Sequence, residues 1–231
     1  VRRLYLDMLG TLPRPAETEA FLRSADPNKR SALVDELFAR EEYADYRSLL
    51  WCDLLRVKSE FPINLWPNAV QAYHRFIREA IRENVPYDRF ARVLLTASGS
   101  SFRDPPVNFY RAVAARDPVS LARAAALSFL GTRLETWPGQ AQADLAAFFS
   151  CVAYKKTLEW KEEIVYSNPL AAGDLTTRLP DGRTVVVPAG ADPRLAFADW
   201  LSAPDNPWFA RALANRVWYW LLGTGITEPA D

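Results

Sequence analysis

Apolar residues recur at helical spacing through the first two thirds of the chain. The segment 68–84 shows the pattern most clearly, and its shared apolar face consists of Ala69, Val70, Tyr73, Phe76, Ile77, Ala80 and Ile81. The same periodicity predicts helices at 15–24, 27–38, 41–57, 87–96, 107–115, 118–130 and 140–153. The helix at 118–130 also has a typical start signal, Asp117, and a typical stop signal, Gly131.

The pattern changes near Trp160. A short β-like run follows at 164–166. Two further runs at 176–179 and 184–187 flank Pro180-Asp181-Gly182, a sequence that forms tight turns because its residues favour the required backbone angles. This part of the chain therefore predicts a β-hairpin.

Helical periodicity returns at 193–202 and 207–222. We therefore predict a mainly α fold, a multi-helix domain with a small β-hairpin insertion near residues 162–188. The predicted domains are a helical domain at 1–157, the small β insertion at 158–190, and the truncated start of a second helical domain at 191–231. This organisation is what we expect of a piece excised from a longer protein.

The composition excludes several classes of function. The 231 residues include 28 Lys and Arg against 28 Asp and Glu, so the formal net charge is zero. A protein that binds nucleic acid is normally basic, and we expect no nucleic-acid partner. One histidine and two cysteines cannot form a multi-histidine metal site or a zinc ribbon, and we expect no metal. No run approaches the roughly 18 apolar residues of a membrane span.

His74 is the chain's only imidazole and lies at the edge of the apolar face of 68–84. We favour a boundary histidine that packs its ring and hydrogen-bonds a neighbour, because no nucleophile stands at a recognisable motif spacing. The alternative is a general base, or a ligand beside Asn64 and Asn68. Asn64 belongs to the proline-bounded loop before this helix, and Asn68 is its predicted N-cap.

Three carboxylates lie near the predicted change from helix to strand, at Glu159, Glu162 and Glu163. Two of them could form the acid and base of a glycosidase, which needs carboxyl groups about 5–10 Å apart in a cleft. A solvated charged turn explains the same residues more simply, and we favour it.

Among the eight tryptophans, Trp66 and Trp137 are the best surface candidates because each adjoins a proline in an irregular segment. An exposed indole on a stiff loop could bind a sugar ring or a protein partner. Core packing is the favoured alternative for both. Cys52 and Cys151 lie in apolar helical patterns, and we favour two separately buried thiols over a disulfide.

Three stretches in order resemble bacterial cytochrome-associated domains of unknown function of the planctomycete type. The first two stretches together resemble DUF1549 (PSCyt2-like). The first runs from Arg2-Arg3-Leu4-Tyr5-Leu6-Asp7 to Ala20-Phe21-Leu22. The second consists of Pro86-Tyr87-Asp88-Arg89-Phe90, Phe129-Leu130-Gly131-Thr132-Arg133 and Ala146-Ala147-Phe148-Phe149. The last, Asn206-Pro207-Trp208-Phe209-Ala210-Arg211-Ala212 with Asn215-Arg216-Val217-Trp218 and Gly225-Ile226, is similar to the start of DUF1553 (PSD1-like).

The resemblance implies a large, exported, multi-domain bacterial protein of polysaccharide-degrading organisms, and hence a periplasmic or cell-surface location. Many relatives carry a Cys-x-x-Cys-His motif after the Leu-Gly-x-Arg segment, where this chain reads 134–139 without cysteine or histidine. Thioether attachment of haem needs both thiols, and its iron needs the imidazole, so no cofactor is carried over.

The residues and the resemblance together favour a non-catalytic structural or protein-interaction module of an exported protein. Its expected partners are other domains of the same protein, and a protein or polysaccharide ligand is the further candidate. The alternative is an enzyme that acts on polysaccharides or their substituents, with His74, Glu159, Glu162 or Glu163 as its catalytic groups. A carbohydrate-binding module that binds through Trp66 is a further alternative.

Overall fold

The computed structural model describes residues 1–60, 65–171 and 173–227. Helices carry most of this part of the chain, which confirms the predicted mainly α fold. They are α1 Arg2–Leu9, α2 Pro15–Arg23, α3 Lys29–Phe38, α4 Glu41–Leu54, α5 Pro67–Arg82, α6 Tyr87–Thr96, α7 Asn108–Arg111, α8 Pro118–Ala125, α9 Gly139–Ala147, α10 Pro193–Leu201 and α11 Pro207–Leu222. A π-helical turn, Ala126–Leu130, extends α8.

The described residues also form two small antiparallel sheets. The first contains β1 Gly99–Ser100, β2 Val152–Lys156 and β3 Glu163–Ser167 in the order β1-β3-β2. The second pairs β4 Leu175–Arg178 with β5 Thr184–Val187.

The chain divides into two compact units. Unit 1 comprises Val1–Leu54 and His74–Val85, and unit 2 comprises Leu55–Tyr73 and Pro86–Asp231. Helix α5 therefore begins in unit 2 and ends in unit 1.

The core of unit 1 forms between α1 and α3. Tyr5, Met8 and Leu9 recur at helical spacing on α1, and they pack with Leu33 and Leu37 of α3. Gly10 ends α1 in the left-handed conformation at φ 68°, and a Cβ atom there would lie 2.5 Å from the ring of Tyr46. The turn and the close packing of Tyr46 therefore both require glycine at this position.

The core of unit 2 is rich in aromatic rings. Its fully buried rings are Tyr73, Phe109, Tyr110, Phe129, Phe148, Phe149 and Phe197. Arg194 is also fully buried, and its guanidinium donates to Asp192, to the Ser98 hydroxyl and to the Ala97 carbonyl oxygen. These hydrogen bonds compensate for burial of the charge, and because two of them reach Ala97 and Ser98, they also link α10 to the end of α6.

The prediction of a helix at 140–153 is wrong for its last residues. Helix α9 ends at Ala147, and Val152–Lys156 instead forms strand β2, which pairs with β3 over five residue pairs. Strand β1, which pairs with the other edge of β3, also falls outside the predicted insertion near 162–188. Both strands depend on pairing with residues distant along the chain, whereas the hairpin at 175–187 has a local turn signal and was predicted correctly.

Candidate functional site

The β2–β3 hairpin ends in a tip, residues 157–162, that carries large exposed apolar side chains. The paired strands fix its base, from Val152 opposite Ser167 to Lys156 opposite Glu163. Leu158 is fully exposed at this tip, and Trp160 is 68% exposed. A tryptophan exposed to that degree contributes little to the core, so its contact area is available to a ligand.

A pocket with a volume of about 610 Å³ lies against this tip. That volume is in the range that holds small ligands. It is lined by Arg111, Ala114, Arg116, Lys156, Thr157, Leu158, Glu159, Trp160, Lys161, Glu162 and Glu163. Four of these side chains are cationic and three are anionic, so the lining carries one excess positive charge.

Glu163 is held by two arginines at the base of the pocket. Arg111 donates from Nε to Oε2 at 2.8 Å, and Arg116 donates from Nη1 to Oε1 at 3.0 Å. The Arg111 side chain is only 4% exposed and that of Glu163 16%. Burial would raise the pKa of Glu163, but the two guanidinium groups outweigh it, so its pKa lies below the ordinary value and the carboxylate stays ionised.

Glu162 is buried and accepts hydrogen bonds from two hydroxyls. Ser100 of β1 donates to Oε1, and Thr157 donates to Oε2 at 2.7 Å. These bonds lower the pKa of Glu162 below its ordinary value, chiefly the bond from Ser100. Glu162 and Glu163 are therefore both ionised near neutral pH, whereas the general acid of a glycosidase must be protonated.

Trp66, Trp160 and Lys161 form an aromatic and cationic cluster, which we call the indole platform. The rings of Trp66 and Trp160 meet edge to face, with centroids 4.5 Å apart. The Lys161 ammonium lies 5.5 Å from the Trp66 ring and 5.7 Å from the Trp160 ring. Cation–π attraction to both indoles holds this ammonium in place, although no carboxylate of the described residues pairs with it.

Arg116 is also held by an aromatic ring. Its guanidinium lies 4.9 Å from the centroid of Tyr154, which projects from β2. Burial raises the pKa of Tyr154, so its ring is uncharged at neutral pH. Only Nη1 of Arg116 is occupied by Glu163, so the remaining donors of this half-buried side chain can serve the pocket it lines.

The predicted carboxylates lie between two strands rather than at a change from helix to strand: Glu159 and Glu162 are in the turn, and Glu163 begins β3. This difference follows from the strand formed by Val152–Lys156. All three carboxylates line the pocket, but their environments differ. Glu159 is exposed, with one oxygen 3.8 Å from Nη2 of Arg103, whereas Glu162 and Glu163 are held by partly buried hydrogen bonds.

The remaining candidates lie on or before helix α5. His74 is half-buried on α5 and belongs to unit 1, whereas the carboxylates belong to unit 2. Asn64 lies outside the described residues. Asn68 is exposed in the first turn of α5, which begins at Pro67, so Asn68 does not cap the helix as predicted.

Trp137 lines a second, smaller pocket in unit 2. This pocket has a volume of about 280 Å³ and is also lined by Asp144, Arg178 and Pro180. The Trp137 indole is half-buried and donates from Nε1 to the Thr132 hydroxyl at 3.1 Å. Its polar atom therefore has a partner within the protein, which makes Trp137 less available for binding than Trp160.

Sequence reasoning missed the two arginines at the base of the pocket. A signal was present for Arg111, which follows Phe109 and Tyr110 in an apolar run, because a charge buried there needs a partner. Arg116 had no comparable signal, since its partner Glu163 is 47 residues away along the chain.

The donor set at 134–139 does not fit a covalently attached haem. This segment forms a short 3-10 turn, Leu134–Thr136, followed by Trp137, and it contains neither thiol nor imidazole. Cys52 and Cys151 are both free and buried, and burial raises the pKa of the Cys52 thiol to about 12. Over the described ranges no three His, Cys, Asp or Glu side chains are grouped so that they could hold a metal ion.

None of the helices in the described residues is long and apolar enough to cross a bilayer.

Comparison with protein families gives two matches in order along the chain. The model of PSCyt2, a protein of unknown function (DUF1549), matches residues 1–143. That of PSD1, also a protein of unknown function (DUF1553), matches residues 193–231. No curated protein and no solved structure matches the chain.

Proposed function

The chain belongs to the DUF1549 (PSCyt2) family of unknown function, and on that premise we propose that it works as a non-catalytic binding module of a larger protein. The pocket beside the tip of the β2–β3 hairpin is its binding site. Two family models that match successive parts of the chain support the multi-domain arrangement. Other domains of that protein are its first expected partners.

The exposed tip of the hairpin is the observation that carries this proposal. Leu158 and Trp160 are exposed although the strands beneath them are fully paired. Folding of the unit therefore gains little from these two side chains, whereas a ligand in the pocket would cover both. This arrangement is typical of side chains that serve recognition.

The state of the carboxylates supports binding rather than catalysis. A glycosidase keeps one carboxyl group protonated by raising its pKa, usually in an apolar environment. In this pocket, hydrogen bonds lower the pKa of both Glu162 and Glu163. The two groups thus share the same ionised state and lack the asymmetry that acid–base catalysis requires.

Affinity electrophoresis through gels that contain soluble polysaccharides tests the proposal, together with an assay for released reducing ends. We expect at least one polysaccharide to retard the chain without any release of sugar, and Trp160→Ala to abolish the retardation. Release of reducing ends that disappears in Glu162→Gln or in His74→Ala would overturn the proposal, because it would show turnover that depends on a candidate catalytic group.

We also propose that the parent protein is exported, since the pocket would then face polysaccharides outside the cytoplasm. Fractionation of the native organism with an antibody against this chain tests location. We expect the parent protein in the periplasmic or cell-surface fraction, and its recovery in the cytoplasmic fraction alone would contradict export.

A further inference from the structure

We propose that the pocket binds a sugar ring that carries one negative charge, from either a carboxylate or a sulfate ester. This inference rests on the proposed function, because it names the class of ligand that the same pocket takes. Three features of the lining carry it: unpaired cationic groups, an exposed indole beside them, and fixed acceptors for hydroxyl groups.

The cations of the pocket exceed what its own carboxylates use. Glu163 is already neutralised by Arg111 and Arg116, which together bring two positive charges to one negative charge. Lys156 and Lys161 also line the pocket, and neither pairs with a carboxylate of the described residues. An anionic group on a ligand would therefore meet two ammonium groups that no carboxylate of the described residues pairs with.

The exposed Trp160 ring supplies the apolar contact that a sugar needs. The two faces of a pyranose ring differ in polarity, and the C–H face packs against aromatic rings. The Trp160 ring packs edge to face with Trp66, and the Lys161 ammonium lies beside both indoles. A ring placed on the indole would thus bring a charged substituent within reach of a cation that is already positioned.

The acceptors argue for a polyhydroxylated monoanion and against a bare phosphate. Glu159, Glu162 and Thr157 line the same pocket, and both carboxylate oxygens of Glu162 keep further lone-pair capacity beyond the two hydroxyls they accept from. Carboxylates accept hydrogen bonds from sugar hydroxyls, and they repel a dianion more strongly than a monoanion. Mixed donors and acceptors therefore fit a sugar with a single charge.

The backbone holds this arrangement before any ligand binds. Trp66, Arg116 and Lys161 all adopt the left-handed conformation, with φ of 69°, 56° and 65°. Non-glycine residues adopt this conformation at a cost in energy, and such residues concentrate at ligand sites where surrounding structure fixes them. All three supply side chains to the pocket or to the indole platform beside it.

Isothermal titration calorimetry with defined oligosaccharides tests the inference. The probes are a disaccharide with one uronate ring, a disaccharide of the same linkage with one sulfate ester in place of the carboxylate, the neutral disaccharide of that linkage, and inorganic phosphate. We expect one of the two acidic sugars to bind at least about tenfold more tightly than the neutral sugar and phosphate, with affinity that falls as salt rises. The acidic sugar that binds better identifies whether the charge is a carboxylate or a sulfate.

Matched variants locate the binding in the pocket. We expect Trp160→Ala to weaken binding at least about tenfold, and Lys161→Gln and Lys156→Gln about threefold to tenfold each. Lys155→Gln is the control for Lys156, because adjacent residues of a strand face opposite sides and Lys155 does not line the pocket. Trp137→Ala is the control for Trp160 and should leave the affinity unchanged.

The outcomes separate this inference from the proposed function. Equal affinity for the neutral and acidic sugars, lost in Trp160→Ala but kept in Lys161→Gln, would overturn the charge preference and leave a binding module. Preference for inorganic phosphate would overturn the sugar ligand. If acidic sugars do not bind but another polysaccharide retards the chain, only the ligand class is wrong. If no polysaccharide binds either, both proposals fall.

Discussion

Two β-hairpins of unit 2 use their tips in opposite ways. The β4–β5 tip is fastened to the protein: Asp181 accepts from the backbone and side chain of Arg183, and from Nε1 of Trp200 on α10 at 2.7 Å. The β2–β3 hairpin is held mainly at the base of its tip, where Arg111 and Arg116 bind Glu163 and Ser100 donates to Glu162, while Leu158 and Trp160 are exposed to solvent.

This difference separates stability from recognition within one unit. The tip of β4–β5 ties the hairpin to a helix, so its polar residues contribute to folding. In the β2–β3 hairpin the buried ion pairs contribute to folding and the exposed tip is left for a ligand. Substitutions at the two tips and at the base of β2–β3 should therefore have distinct effects on unfolding and on binding.

The largest expected effect is at the base of β2–β3. Glu163→Ala would leave Arg111 buried without its carboxylate, and we expect the free energy of unfolding to fall by about 3–5 kcal/mol. Chemical denaturation monitored by fluorescence measures this change. Glu163→Gln keeps one acceptor and should lose less, and the exposed Glu159→Ala should lose little. Equal stability of all three variants would show that the ion pairs do not support the hairpin.

The next effect is at the fastened tip of β4–β5. Asp181→Ala removes the acceptor of the Trp200 indole and of Arg183, and we expect a loss of about 1–3 kcal/mol in the free energy of unfolding. Asp181→Asn keeps an acceptor oxygen and is the matched control. Acidic-sugar affinity should not change in either variant. A stable Asp181→Ala protein with impaired binding would reverse the roles of the two tips.

Acid should weaken both fastened regions. The pKa values of Glu162, Glu163 and Asp181 all lie below their ordinary values in the folded chain. Each group therefore contributes stability that is fully present above its unfolded pKa, about 4.3 for Glu and 3.9 for Asp, and that is lost as pH falls through the folded value. Stability measured from pH 7 down to pH 3 should fall less steeply for Glu163→Gln. Identical profiles for the two proteins would contradict this contribution.

The smallest effect on folding is expected at the exposed tip. Trp160→Ala removes a ring that is mostly in solvent and loses one edge-to-face contact with Trp66, so we expect a loss of no more than about 1 kcal/mol. Thermal denaturation compares it with Trp200→Ala, which removes a buried indole of the same size and should destabilise the chain far more. Similar losses in both variants would mean that Trp160 is part of the core.

The two hairpins also show what sequence could predict. The β4–β5 hairpin is predicted by its local sequence, because Pro180-Asp181-Gly182 favours the turn independently of contacts with the rest of the chain. The β2–β3 hairpin has no such turn. The pattern of 140–153 continues helical periodicity into Val152, and only pairing with β3 makes this segment a strand.

For the site, the sequence pointed to several candidate residues but not to their arrangement in space. Sequence analysis singled out Trp66 and the carboxylates as separate candidates and did not predict that they lie near one another. Their meeting depends on the β2–β3 pairing and on Arg111 and Arg116, 47 to 52 residues before Glu163. Sequence spacing carries no information on such contacts. The exposure of Trp160, which decides between core and recognition, likewise follows from the tertiary fold.

The central claim is that the β2–β3 tip serves recognition and not stability, and Trp160→Ala tests it most directly when both quantities are measured on the same protein. We predict that the free energy of unfolding falls by no more than about 1 kcal/mol while affinity for an acidic disaccharide falls at least about tenfold. Unchanged affinity, or a fall in unfolding free energy of about 3 kcal/mol typical of a buried aromatic ring, would contradict the claim.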